Sequence, residues 1–294
     1  MKLIFLISFF ALLASCKGQQ AVPLVNNADN NSLLWQVSGN GLKSPSYLYG
    51  TFHLMCSEDI HLSTQLTEAM QRSKALYFEL DMDDPATIIG GMFIMNMKNG
   101  QTLKGLYNEE EYKKIERFIT DSLGLPMMLM QRMKPALLEA LLYPKLLKCK
   151  KTSGVEEAIM EVAKTQKKEI KGLETVQEQG AVFDSIPYDV QAKGLYNAID
   201  SFATYGGYFD KMLQVYKRQQ LDSLEKDMAT DETLKAYNYL LLDKRNINWV
   251  KKLKSIMPEQ ATFVAVGAGH LIGDKGLIKL LRKEGFILTP LKNN

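Results

Sequence analysis

The chain has 294 residues, of which 46% are apolar and 23% charged, with a net charge of +3. This is ordinary for a globular protein that buries a full core, as one large domain or two small ones. The charge is small and scattered, with no basic block interleaved with aromatics, which excludes nucleic acid as the expected partner; "KCKK" (148–151) and "KK" (251–252) read as solvated helix ends.

"MKLIFLISFFALLASCKGQQ" carries a lysine, a short apolar run and then small residues, the pattern of a secretory signal too short to span a bilayer. Its ending "LLASC" resembles a bacterial lipoprotein signal. The expected boundaries are a signal peptide over 1–15, lipidation at Cys16 with a polar, Asn-rich tether over 16–32, and a single domain over 33–294. The protein is then exported and membrane-anchored, on a periplasmic or cell-surface face. Cys56 and Cys149 remain. An exported chain permits them to pair, but the sequence leaves open whether their Cα atoms come close enough, and two free buried thiols are the other reading.

Strands are expected at 33–39 and 46–50 around a turn holding Gly39, Gly41 and Pro45. A helix follows over about 61–73 with Ser57 as its cap, and "ALYFELD" (75–81) reads as a buried strand. The Gly-interrupted stretch that follows has no clear period. Helices are predicted over 108–124, over 134–148 with a break near Pro144, and over 153–168 with Ser153 as cap. A strand at 168–174 precedes a nearly all-helical stretch from 175 to 256. A central strand at 261–269, a helix at 275–286 and the closing strand "FILTPL" complete the chain. The fold class is α/β (α+β), a mixed central sheet with flanking helices and a helical middle insertion.

The chain has three histidines, and two stand in the same setting: Gly50-Thr-Phe-His53 and Gly267-Ala-Gly-His270, each Gly-x-x-His after an apolar strand. Open α/β sheets bind ligands at the carboxyl ends of their strands. His53, Glu79, Asp81, Glu174 and His270 are all expected there, and a glycine in each turn allows a sharp bend and a close approach to ligand. Two neutral imidazoles with a carboxylate suit Zn²⁺, Mn²⁺ or Co²⁺, and an open position on the ion activates water for hydrolysis. A core role for each histidine is the competing reading. His61, beside Glu58 and Asp59, reads as a surface residue. "MFIMNM" and "MMLMQRM" hold seven of the 15 methionines; core filling is their default role, and a pliable substrate groove the next.

"YLYGTFHL", "YFELD", "KP" (134–135), "KGLETVQEQ" (171–179), "DKRNINW" (243–249) and "VGAGHLIGDKGLIKLLRKEGF" occur in that order. Together they resemble the TraB/GumN family (TraB/PrgY/GumN), related to the Tiki-type metalloproteases, over about residues 33–291. The resemblance implies a fold shared with erythromycin-esterase-like and haem-binding ChaN-like proteins. It also implies a metal-dependent protease using Mn²⁺ or Co²⁺, with Zn²⁺ the third choice, and a peptide or protein substrate. On this reading His53 and His270 are metal ligands, and Glu79 is either a third ligand or the base that activates water. Arg245 either stabilises an oxyanion or orients Glu79 and Glu174 through salt bridges. Glu174, and with it Gln179, supports the ligands. Ala136 departs from the aromatic that many relatives carry after the Lys-Pro pair. Two other readings of the same pocket stand beside this one: a lipoprotein that binds peptide or haem without turnover, and a metal-independent esterase-like hydrolase.

Overall fold

The computed structural model describes residues 31–293, so the predicted signal, Cys16 and most of the tether lie outside the described residues. Ser32, assigned to the tether from sequence, is fully buried and donates to the Leu291 carbonyl at 2.6 Å.

Six strands make the main sheet: β1 (Leu34–Gly39), β2 (Ser46–Thr51), β4 (Ala75–Phe78), β6 (Glu169–Gly172), β7 (Thr262–Gly267) and β8 (Phe286–Pro290), in the order β6-β4-β7-β2-β1-β8. Two short strands, β3 (Met55–Cys56) and β5 (Thr152–Ser153), pair separately. β6, β4, β7 and β2 run parallel, and β1 lies antiparallel between β2 and β8, which gives the mixed sheet expected. β4 and β7 are buried at every residue, as strands covered on both faces must be. The β1–β2 turn takes left-handed backbone at Gly39, Asn40 and Gly41, residue types that tolerate it.

Several element boundaries differ from the sequence reading. The first long helix is Thr64–Arg72, capped by Ser63 rather than Ser57, and it leaves His61 exposed ahead of it. The predicted strand at 75–81 ends at Phe78, so Glu79 lies just beyond its hydrogen-bonded ladder. The predicted helix over 134–148 is two short ones, Pro135–Ala140 and Tyr143–Leu146. The helix expected over 153–168 is Val155–Thr165, and Ser153 sits in β5. The Gly-interrupted stretch forms a helix, Pro85–Ile94, capped by Asp84 with proline in its first turn. Its two glycines hid it from the sequence reading.

The buried apolar residues fall into two clusters. The larger surrounds the sheet; the smaller, including Met97, Ile115, Leu138 and Leu195, lies inside the helical insertion. Lys134 joins the insertion to the rest. It is 1% exposed and its ammonium lies 2.8 Å from Asp184, on the helix Val176–Asp184. Cys56 and Cys149 form a disulfide with Cα atoms 5.8 Å apart, which settles the alternative left open by the sequence.

Candidate functional site

The parallel strands deliver their next residues to one edge of the sheet. His53 follows β2, Glu79 follows β4, Glu174 follows β6, and His270 ends a short turn after β7. The Glu174 amide donates to the Glu79 carbonyl at 2.9 Å, so the β4–β6 ladder continues far enough to set the two carboxylates side by side.

Glu79 is the hub. Its Oε1 accepts from the Gly267 amide at 2.9 Å and lies 3.7 Å from His270 Nε2. Its Oε2 accepts from Arg245 Nη2 at 2.6 Å. Arg245, from the helix Lys244–Ile256, also donates to both oxygens of Glu174, to the Leu241 carbonyl, and to His270 Nε2 at 3.0 Å. Its guanidinium packs 4.7 Å from the Trp249 ring, and that ring lies 4.5 Å from the His270 imidazole. Gln179 donates to Glu174 Oε1 at 3.2 Å and to Glu79 Oε2 at 3.5 Å. Arg245 thus makes the salt bridges that were one of its two expected roles.

Each imidazole is held through Nδ1 by a residue the sequence reading missed. Asn246 Nδ2 donates to the His270 and Lys275 carbonyls, so its Oδ1 accepts from His270 Nδ1 at 2.7 Å. That pattern assigns the proton to Nδ1 and leaves the Nε2 lone pair toward Arg245. Glu156 is buried and accepts from Thr51 Oγ1 at 2.6 Å and from His53 Nδ1 at 2.7 Å. Asn246 shares the buried stripe of its helix with Trp249, Val250 and Leu253. A polar residue on an apolar stripe was the available signal. Glu156 carried none, because acids are ordinary in a first helical turn.

The two Gly-x-x-His glycines have a steric purpose. Neither adopts positive φ. A Cβ on Gly50 would stand 2.9 Å from Leu271 Cδ1 and 3.1 Å from the Ala268 Cα. A Cβ on Gly267 would stand 3.2 Å from His53 Nε2 and 3.3 Å from Glu79 Oε1. The second glycine therefore keeps open the space between an imidazole and the central carboxylate; the bend expected of it is not what needs glycine.

Charge follows from these contacts. Burial drives the His270 pKa down to about 3, so the ring is neutral at neutral pH. Burial would raise Glu79, but the His270, Arg245 and His53 charges and the Gly267 amide outweigh it and bring the carboxyl to about 2. With His270 neutral, Arg245, the His53 charge and the Gly267 amide are the lasting sources of that pull. His53 behaves oppositely. Burial opposes its charge, yet the hydrogen bond and charge of Glu156, with Glu79 beyond, raise it to about 9. Its side chain is 71% accessible, against 5% for His270, so water screens the shift and its direction is the firm result. The cleft has one buried and one open histidine.

The donor set suits a divalent ion: a neutral imidazole at His270, an ionised carboxylate, a gap that a Cβ would fill, and a second imidazole at His53 whose Nδ1 is engaged by Glu156 and whose Nε2 must give up its proton to bind. The ligand atoms are not drawn in around a centre. Among the described residues, the one acidic, histidine or cysteine trio with ligand atoms within 4.8 Å of one another is Cys56, Glu58 and Cys149, whose thiols are consumed by the disulfide. Arg245 holds the lone pairs of Glu79 Oε2 and His270 Nε2, and an ion bound through those atoms requires the guanidinium to withdraw. A cavity of about 130 Å³ adjoins the Glu174–Arg245 pair, lined also by Glu178 and Trp249. A larger one of about 520 Å³ lies beside the disulfide and is lined by none of the residues predicted for the site.

Known proteins align along most of the chain. Metalloprotease TIKI2 of Danio rerio is 24% identical, covering 89% of this chain and 61% of its own length. Metalloprotease TIKI1 of Homo sapiens is 23% identical, with 87% and 61% covered. The uncharacterized protein YbaP of Shigella flexneri is 25% identical, with 81% and 88% covered. The chain thus spans about 61% of the length of these two Tiki relatives. No solved structure matches it. The TraB/PrgY/gumN family pattern matches residues 33–290, and the chain belongs to that family.

Proposed function

We propose that the protein is a metal-dependent hydrolase, acting on peptides, displayed on a membrane as a lipoprotein. The observation that carries this reading is the meeting of both Gly-x-x-His motifs with Glu79 around the gap kept by Gly267. The metalloprotease relatives point the same way. His53, His270 and Glu79 would hold a divalent ion, which would supply Lewis acidity for a peptide carbonyl and for water. Glu156 and Asn246 fix the two rings by their Nδ1 atoms, so that Nε2 is the atom offered. Glu79 serves as a ligand rather than as the base, since both its oxygens already accept hydrogen bonds, Oε1 from the Gly267 amide and Oε2 from Arg245, which hold the carboxylate ionised and make it a poor proton acceptor. Arg245 keeps that carboxylate ionised, and on withdrawing from His270 it has N–H donors for a developing oxyanion. Glu174 and Gln179 hold Arg245 and Glu79 in register.

The grip of Arg245 on Glu79 and His270 favours a second reading, an esterase-like hydrolase that needs no metal. Cleavage of a peptide library by residues 17–294 separates the two. The metal-dependent reading expects turnover that a chelator abolishes and Mn²⁺, Co²⁺ or Zn²⁺ restores; turnover unaffected by chelator contradicts it and supports the second. Export and lipidation at Cys16 are supported by the "LLASC" ending and by the disulfide, a bond that persists in oxidising compartments. The intact mass of the mature chain tests the anchor: a first residue other than a lipid-modified Cys16 refutes it.

A further inference from the structure

The helix Pro85–Ile94 is uncharged along all ten residues and buries none of them. Its inner face carries Gly90, where a Cβ would meet Val176 at 2.7 Å, while a Cβ on Gly91 would meet nothing within 4 Å. Its outer face is a ridge of large apolar side chains, with Ile88 62%, Ile89 56%, Met92 66% and Phe93 80% exposed. Single exposed apolar residues are commonplace, but two pairs on two adjacent turns of one helix make a contiguous patch of the kind that marks an interaction site.

We propose that this helix docks the domain onto a lipid bilayer. Three observations favour lipid over a protein partner. First, the ridge is small. Its four side chains present on the order of 500 Å², below the roughly 800 Å² per partner of a standard protein interface, while the interfacial zone of a bilayer accepts a short apolar ridge without matching shape. Second, the chain enters the domain at the same edge of the sheet. Leu33 accepts from the Gly50 amide, at the carboxyl end of β2, and the helix follows the carboxyl end of β4. β1 and β4 are three strand positions apart, about 15 Å. The 15 residues from Cys16 to Asn30 reach at most about 50 Å, so a lipid on Cys16 and the ridge can meet one membrane together. Third, the helix is preceded by Asp83 and Asp84, so a zwitterionic surface suits it better than an anionic one, and its binding is apolar in character. The ridge acts as a second attachment beside the proposed lipid anchor, and holds the domain with its sheet edge toward the bilayer.

The test uses residues 17–294, which lack Cys16 and contain both buried clusters, so the outcome does not depend on lipidation. Flotation with phosphatidylcholine vesicles should carry the wild type upward in low and high salt alike. The double variant Ile89→Glu/Phe93→Glu should lose at least about tenfold in partitioning, given what burying one such side chain contributes. Ile287→Glu, at a 59% exposed position on the far strand of the sheet, should float like wild type. Circular dichroism establishes that each variant is folded. The proposal is overturned if the folded wild type stays with the aqueous fraction, or if the double variant floats equally well. It is also overturned if light scattering shows a dimer that the double variant abolishes while neither protein binds vesicles, which would assign the ridge to a second copy of the chain.

Discussion

Gly267 is where the site is most sensitive to a single atom. Its backbone is compatible with any L-residue, so Gly267→Ala should fold as well as wild type; the added methyl enters the gap between His53 Nε2 and Glu79 Oε1. The expected result, by titration calorimetry with Mn²⁺ or Zn²⁺, is a loss of at least about tenfold in affinity with thermal stability nearly unchanged, since site geometry must hold to about 0.5 Å. Unchanged affinity would mean that the gap is not where the ion sits. The histidines, Glu79 and Glu174 were legible at this scale because strand ends concentrate function and because a repeated motif in a histidine-poor chain is conspicuous; Arg245, on the helix Lys244–Ile256, was named only through the family resemblance. Glu156 was not legible. Its role depends on the loop Phe52–Leu54 passing over Gly154, where a Cβ would meet the His53 carbonyl at 2.7 Å, and no local pattern encodes an approach of residues a hundred positions apart.

Among the elements, the helix Val176–Asp184 has most to hold. A capping box of Thr175 and Glu178 starts it, Gln179 in its middle reaches the two carboxylates, and Asp184 at its end takes Lys134 and Lys98. Burial would raise the Asp184 carboxyl, but Lys134, Tyr188 and Lys98 hold it below the usual range. Because the folded pKa is the lower one, the stabilisation is complete above the unfolded value of about 3.9 and is lost as pH falls through the folded value. Lys134→Ala should destabilise the protein by about 2 kcal/mol at neutral pH, since it removes a charged donor from Asp184 while Lys98 and Tyr188 still hold the carboxylate, and the difference from wild type should shrink in acid. Denaturant unfolding at several pH values measures both; an equal loss at all pH would mean that Lys134 acts through packing alone. Sequence periodicity located the major strands and helices well. It failed for Pro85–Ile94, whose exposed apolar face and paired glycines resemble no amphipathic pattern, and for β3 and β5, two residues each and too short to carry any period.

At the scale of the whole molecule, the disulfide ties β3, just after His53, to the segment between the helix Tyr143–Leu146 and β5, across 93 residues. A loop of that length predicts about 4.6 kcal/mol of stabilisation, within the 2–5 kcal/mol usual for native disulfides. Cys149→Ser should lower stability by that order, read by chemical denaturation, and reducing agent should have the same effect on wild type and none on the variant. No helix among the described residues is long and apolar enough to cross a membrane. The central claim is that two histidines brought together from opposite ends of the chain share one ion. The most direct measurement is the metal content of residues 17–294 purified without chelator, compared with His53→Ala/His270→Ala after both are shown to be folded. About one Mn, Co or Zn per wild-type chain, absent from the variant, is the result this account predicts. A folded wild type that carries no metal and takes up none on dialysis against each ion would contradict it, and would leave the paired motifs to a hydrolase that works without one.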